Sequence, residues 1–253
     1  MGRKANWEYM EDHLCGRRSI DEMPKCVKVS KNGLTKKKGK GLANYDLSFL
    51  RKVFGDFSEL DMSHVTLSYA ELPRSLFIGT NLLGANMRGI DIQGSSLNRS
   101  NLSKANLESA ILDECHVENT IATEACFQNV QAYRIKIVNS DITSSNLSNA
   151  DFSDAEIKGV DLRMATCDFT CFEGAEIVST NFSGASLRKV NFRDAFLCEV
   201  DFSNASLRWV NFVEASIAGL NFHGTQMENV IFTEEQLEEV DLSHAIIAES
   251  YQL

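Results

Sequence analysis

The chain has 253 residues, 24% of them charged, two prolines and a formal net charge of −10. A length of this order holds one or two domains; no apolar segment is long enough to span a membrane, and Met1 to Cys15 lacks the apolar core of a signal peptide, so the expectation is a soluble protein made in the cytosol. The charge is divided, about +6 on residues 1–56 and about −16 from residue 57 onward by residue count, and a single net figure describes neither part.

Residues 1–41 read as a basic, partly flexible segment. Within it, Val27-Lys28-Val29-Ser30-Lys31-Asn32-Gly33-Leu34 reads as a hairpin turning at Asn32-Gly33. The run Lys36, Lys37, Lys38 and Lys40 suits nucleic acid or an anionic membrane. A solvated linker, or one lying against the acidic remainder of the chain, accounts for it more economically. Residues 42–56 read as an N-terminal cap. Leu50, Val53 and Phe54 are spaced like one turn of amphipathic helix, which predicts a short helix over Ser48–Phe54 covering the repeats that follow, because the end of a repeat array exposes strand edges and core.

Residues 57–253 are organised by a period of five. An apolar residue recurs at Phe57, Met62, Leu67, Leu72 and Phe77, and so on through Phe232, Leu237, Leu242 and Ile247, about 39 pentads with a weaker stretch at Ala122, Phe127 and Ala132. Five suits neither a helix nor a strand, so the chain must turn a corner once per pentad, and self-similarity this long means a solenoid. Two residues before each centre the side chain is small or β-branched, as in Ala150, Ala185, Val190 and Val200, which suits a second inward position. The residue between is often Asp or Asn, side chains that bond nearby backbone and favour turns. Each glycine beyond Phe57 falls two residues after a centre, at the corner.

A further alternation has period ten: Ala dominates inner sites whose numbers end in 5, Val, Thr, Ser or Ile those ending in 0, and most Phe centres end in 2. An even number of sides preserves it. Four sides and twenty residues per coil put Phe152, Phe172, Phe192, Phe212 and Phe232 in one ladder, and Phe182, Phe202 and Phe222 in another opposite. Near the end, Thr233-Glu234-Glu235-Gln236 matches a capping box. A helical turn there spares Glu235, the one charged residue at an inner site, an unpaired burial.

Segments such as Ala150-Asp151-Phe152-Ser153, Ala205-Ser206-Leu207-Arg208 and Ala105-Asn106-Leu107-Glu108 resemble the A(D/N)LXX unit of the pentapeptide-repeat family. The resemblance covers roughly four-fifths of the chain. It implies an all-β, right-handed, quadrilateral parallel β-helix of about ten coils with short helical caps, a rod on the order of 45 Å long at one strand spacing per coil.

Known catalytic signatures are absent: no phosphate-binding glycine loop, no dinucleotide fingerprint, no G-x-S-x-G and no H-E-x-x-H. The expectation is a non-enzymatic protein without catalytic residues, metal or cofactor. Seven cysteines show no metal spacing; Cys115 takes an inner site, Cys167 a centre, Cys126, Cys171 and Cys198 face outward, and His13, Cys15 and Cys26 supply only three possible zinc ligands. The remaining interest is the surface. Phe169, Arg188, Lys189, Arg208 and Trp209 stack on successive coils, with Arg193 around the next corner, a basic and aromatic group of the kind that concentrates binding energy. A second candidate is the apolar side with Val138, Val178, Phe196, Cys198 and Ala218. A third is an acidic edge of Glu114, Asp154, Glu173, Asp194, Glu214 and Glu234.

These surfaces suit a scaffold that binds a protein partner, with the rod itself making no direct contact with nucleic acid and the oligomeric state left open. The acidic edge resembles the Qnr and MfpA type of pentapeptide-repeat protein, which implies mimicry of duplex DNA and DNA gyrase as partner, although the long loops and the C-terminal dimerisation helix of that type are missing. The basic first part resembles bacterial secreted effectors that join such repeats to an unrelated segment, which implies delivery into a host cell as the alternative to the cytoplasm.

Overall fold

The computed structural model describes residues 41–248 and two short strands before them; 1–26, 31–32, 37–40 and 249–253, with His13, Cys15, Cys26 and most of the lysine run, lie outside the described residues. The strands β1 (Val27–Ser30) and β2 (Gly33–Lys36) form the expected antiparallel hairpin with Ser30 opposite Gly33. Gly33 therefore opens β2 instead of turning the chain.

From Leu42 onward each pentad builds one side of a four-sided coil. The residue before each centre bridges its counterpart twenty residues on, in parallel, as in Asp46 with Thr66, Asp61 with Asn81 and Asn191 with Asn211. At most corners the centre's carbonyl accepts the N–H three residues on, for example Ala155 N to Phe152 O at 3.1 Å, and the second corner residue takes positive φ. That combination is a type II turn, which favours Gly or Asn at its third residue. Many corners nevertheless carry full side chains, among them Arg134, Phe169, Lys189 and Trp209 with φ of 53 to 61°. The cost of a left-handed side chain, roughly 1 kcal/mol or more each, is offset because the coil above fixes the peptide, as when Trp209 N donates to Glu228 O at 2.8 Å. At one corner the ring on the coil below lies so close that glycine relieves the crowding: a Cβ on Gly89 would fall 2.6 Å from the Tyr69 ring.

The Asp and Asn residues perform the turn bonding expected of them. Asp201 accepts from Ser203 N at 2.9 Å and Asp151 from Ser153 N at 3.0 Å, while Asn221 Nδ2 reaches down to Asp201 Oδ1 at 2.9 Å.

The period of ten has a structural meaning. Named strands form only on the two opposite sides whose centres end in 7. One sheet stacks β3 (His116–Glu118), β4 (Lys136–Val138), β5 (Glu156–Lys158), β6 (Glu176–Val178), β8 (Phe196–Cys198) and β10 (Ser216–Ala218); the other stacks β7 (Ser186–Arg188), β9 (Ser206–Arg208), β11 (Gln226–Glu228) and β12 (Ile246–Ile247). The remaining two sides hold the two long phenylalanine ladders, while Phe57 and Phe77, stacked at 4.9 Å, and Phe127 fall at centres ending in 7. Phe152, Phe172, Phe192, Phe212 and Phe232 stack at 5.5, 5.2, 5.1 and 4.8 Å between ring centroids, and Phe182, Phe202 and Phe222 at 5.4 and 5.5 Å. The two ladders meet edge to face across the axis, Phe172 on Phe182 at 6.0 Å, the arrangement that aromatic quadrupoles favour.

Helix α1 (Glu234–Glu239) has the predicted capping box: Thr233 Oγ1 accepts from Gln236 N, and Gln236 Oε1 from Thr233 N. It stands where the first sheet would place the strand after β10, so that sheet ends there while the other continues to β12.

Two expectations need correction. Ser48–Phe54 is not a helix: Arg51 bridges Glu71, Leu50 fills an inner site and Phe49 and Phe54 are corner residues with φ of 59°. The spacing of Leu50, Val53 and Phe54 is that of an inner site followed by an exposed corner, which one helical turn imitates. Leu237 and Ile247 are not core centres, because α1 takes Leu237 out of the coil and nothing among the described residues stacks above Ile247; they are 51% and 60% exposed.

The weak pentads keep register, but Ala122 sits between Leu102 and Ile142 beside a cavity of about 20 Å³ lined also by Leu112, Val117 and Phe127. Ala122→Val is expected to raise stability by about 1 kcal/mol, since each methyl group buried in existing space gains up to ~0.8 kcal/mol before packing adjustments. A higher midpoint in urea at unchanged slope would record it; a lower one would mean the space cannot accept a branched side chain.

Candidate functional site

The corner following the β7 and β9 side is built from Phe169, Lys189 and Trp209, one per coil, each with positive φ that turns it outward. Arg188 lies directly opposite Arg208 on neighbouring strands. Like charges so placed repel; Glu228 above pairs with Arg208 at 3.6 Å, while Asp168 below accepts from the backbone N–H of Arg188 at 3.2 Å and not from its guanidinium. The cations do not cover the tryptophan. Arg188 and Lys189 sit over the Phe169 ring at 5.2 and 5.3 Å, whereas Trp209 is 46% exposed, with no ring or cation stacked on it among the described residues. Arg193 stands apart from this group, bound to Glu214 at 3.0 Å through Nε and close to Asp194 at 3.3 Å. Those carboxylates hold its guanidinium pKa above the usual value, Glu214 foremost.

The second surface is the face of the six-stranded sheet. Val138, Val178, Cys198 and Ala218 are equivalent positions on β4, β6, β8 and β10, and Phe196 on β8 is exposed beside them. An ion chain crosses its earlier part: Lys136 to Glu156 at 3.0 Å, Glu156 to Lys158 at 3.1 Å, and Lys158 to Glu176 at 2.9 Å. The hydrogen bond from Lys136, with that from Lys158, holds the Glu156 carboxyl below its ordinary pKa. The apolar patch is thus confined to the last three coils of the sheet.

The third surface is less uniformly acidic than its residues suggest. Glu114, Asp154, Asp194 and Glu214 share one corner column with Arg134, which pairs with Asp154 at 3.7 Å, and with Gly174. Glu173 accepts from Asn191 Nδ2 at 2.9 Å, and Glu234 belongs to the first turn of α1.

Cys115 and Cys167 are buried and Cys126, Cys171 and Cys198 half-buried, as placed from the register. Burial pushes the Cys115 thiol up to about 12 and Cys167 upward as well, so neither supplies a thiolate nucleophile at neutral pH. Among the described residues no three His, Cys, Asp or Glu side chains are placed to hold a metal ion, and no helix is long and apolar enough to cross a membrane.

Sequence reasoning missed one group. Phe49 and Tyr69 stack at 5.7 Å on the first coils, with Val53 and the corner residue Phe54 also exposed. Their register was the available signal, since 49, 54 and 69 are all corner numbers; the reading of 48–54 as a helix concealed it.

Residues 56–99, 100–135 and 137–166 match the family described as pentapeptide repeats (8 copies), and residues 163–242 match the pentapeptide repeat region. No curated protein matches the chain. Among solved structures, HetL, a pentapeptide repeat protein involved in heterocyst differentiation regulation from the cyanobacterium Nostoc sp. strain PCC 7120, is 21% identical with a TM-score of 0.42, over 76% of this chain and 89% of HetL. Full-length QnrB1, a plasmid-mediated fluoroquinolone resistance protein, is 17% identical with a TM-score of 0.37, over 73% and 96%. A pentapeptide repeat protein of the Arabidopsis thaliana thylakoid lumen is 24% identical with a TM-score of 0.35, over 47% and 68%.

Proposed function

Since the chain belongs to the pentapeptide-repeat family, we propose that it is a non-catalytic scaffold whose partner is a protein, bound at the corner of Phe169, Lys189 and Trp209. The observation that carries this is Trp209: a large, rigid, amphipathic ring left uncovered beside two cations that are occupied with a different ring. Its side chain contributes nothing to the core, so its exposure is not a by-product of packing. Tryptophan surrounded by arginine is the composition of an interface hot spot. Arg188 and Arg208 at its side favour an acidic partner surface and set the association rate more than the affinity.

Trp209→Ala is expected to leave the melting temperature nearly unchanged and to weaken capture of the partner from the native cell by roughly 2 kcal/mol or more. Loss of stability with unchanged capture would reassign Trp209 to surface packing and move attention to Val178 and Phe196.

A second reading, DNA mimicry directed at gyrase, draws on the charge of about −16 carried from residue 57 onward. Under it, purified protein alters gyrase supercoiling, and Glu214→Gln with Glu234→Gln weakens the effect through lost electrostatic complementarity. Supercoiling untouched at high protein concentration removes this reading.

A further inference from the structure

The two long sheets end differently. The sheet of β7, β9 and β11 continues to β12, whereas β10 is the last strand of the other and has no strand above it. Ser216 N donates to Ala195 O at 2.9 Å and Ala218 O accepts from Glu199 N at 2.9 Å, so both of these residues address the coil below. Successive residues of a parallel strand present their backbone groups to alternate neighbours. Ile217 N–H and C=O therefore point to the side that no strand occupies. Gly219 is placed alike: its N–H donates to nothing among the described residues, while Glu199 N, its equivalent one coil below, has Ala218 O. Unpaired edge groups of this kind are a template for another chain.

Helix α1 covers only one end of this edge. Gln236 Nε2 satisfies Ala215 O at 2.7 Å, and between strand and helix there remains a groove of about 290 Å³ with Ala215 and Ile217 on its apolar side. Its other lining is acidic, from Glu214, Glu235 and Glu239. Arg193 holds Glu214 at 3.0 Å, but Glu235 and Glu239 are exposed and pair with no cation among the described residues. The surroundings offer none, since residues 209–253 contain eight Asp or Glu and no Lys or Arg.

We propose that this groove takes an extended, basic segment of a partner protein, which adds to β10 as one more strand. Main-chain bonds to Ile217 and Gly219 supply the affinity and side-chain alternation the selectivity. One side chain of the added strand turns in over Ile217 and its two neighbours turn outward, so the fitting sequence is an apolar residue between lysines or arginines, whose cations meet Glu235 and Glu239. The site belongs to the sheet opposite β7 and β9, and it stands or falls independently of the Trp209 corner.

The test uses the full chain and, as probe, a fluorescein-labelled peptide alternating lysine with valine. Two comparison peptides accompany it, one with every backbone nitrogen methylated and one with glutamate in place of lysine. At about 0.15 M salt the lysine peptide is expected to bind, to slow amide exchange at Ile217 and Gly219 with residues 140–190 unchanged, and to lose about tenfold or more in affinity on methylation, because the added strand's own N–H groups are then gone. Equal binding of the methylated peptide, or protection spread over the rod instead of at Ile217 and Gly219, would mean attraction by charge alone and overturns the proposal. So does a lack of binding at about 1 mM peptide, or binding of the glutamate peptide as tight as that of the lysine peptide. Glu235→Gln with Glu239→Gln alters two exposed side chains and leaves the β10 edge intact; it should weaken the lysine peptide about tenfold, and unchanged affinity overturns the basic partner.

Discussion

Phe192→Ala is expected to cost the rod about 3 to 5 kcal/mol, the range for emptying a buried aromatic site that cannot collapse. Phe192 is fully buried, 5.2 Å from Phe172 below and 5.1 Å from Phe212 above, with Phe182 and Phe202 presenting edges at 6.3 and 5.9 Å. Relaxation would require neighbouring coils to approach, but their spacing is set by backbone bonds such as Phe192 N to Asn211 O at 2.8 Å. The hole therefore remains. Asn191→Ala on the same side loses a turn bond from Arg193 N at 3.1 Å, a bond from Asn211 at 3.2 Å and its donation to Glu173 at 2.9 Å, none of them in the core, and should cost about 1 kcal/mol. Chemical denaturation of the two variants measures the contrast. Equal losses would show that the inward and outward positions of the pentad are wrongly assigned.

Gln236→Ala is expected to destabilise the C-terminal end by about 2 to 4 kcal/mol, because it orphans the Ala215 carbonyl, takes a second donor from the Phe212 carbonyl and removes half of a helix cap together. Gln236 Nε2 donates to Ala215 O at 2.7 Å, a carbonyl that the backbone of a further coil would otherwise have satisfied, and to Phe212 O at 2.6 Å, which also accepts the turn bond from Ala215 N at 3.0 Å. Its Oε1 accepts from Thr233 N at 2.8 Å. One side chain thus terminates a parallel sheet and starts the helix that covers its edge. Thr233→Ala, which removes only the capping hydroxyl, should cost about 1 kcal/mol. Hydrogen exchange at residues 212–218 is the informative measurement: faster exchange confined to that segment is the expected signature, and no change there would mean the carbonyls are bonded in another way.

The capping box at Thr233 and the interruption at Glu235 were legible because both are local rules. A Thr followed three residues later by Gln states a helix start whatever surrounds it, and a carboxylate at an inner site conflicts with the coil. The helix expected at Ser48–Phe54 failed for the opposite reason. Three apolar residues at that spacing satisfy both a helical turn and an inner site followed by a corner, and only the bridge from Arg51 to Glu71 distinguishes them. The candidate surface shows the same division. Register alone stacks Phe169, Lys189 and Trp209 and places Arg188 opposite Arg208. That the cations choose Phe169, leaving Trp209 open, and that Arg193 joins Glu214 instead, follow from long side chains with several partners within reach.

From the amino-acid order by itself came the five-residue side, the even number of sides, the two phenylalanine ladders and the glycine at crowded corners. Each of these is a relation between residues twenty apart in an unbroken register, so one repeat states the environment of the next. Only the tertiary structure decided which charges pair across the coils and how far Arg134 and Arg193 break up the acidic edge. Those depend on the parts that do not repeat, side chains with a choice of neighbour.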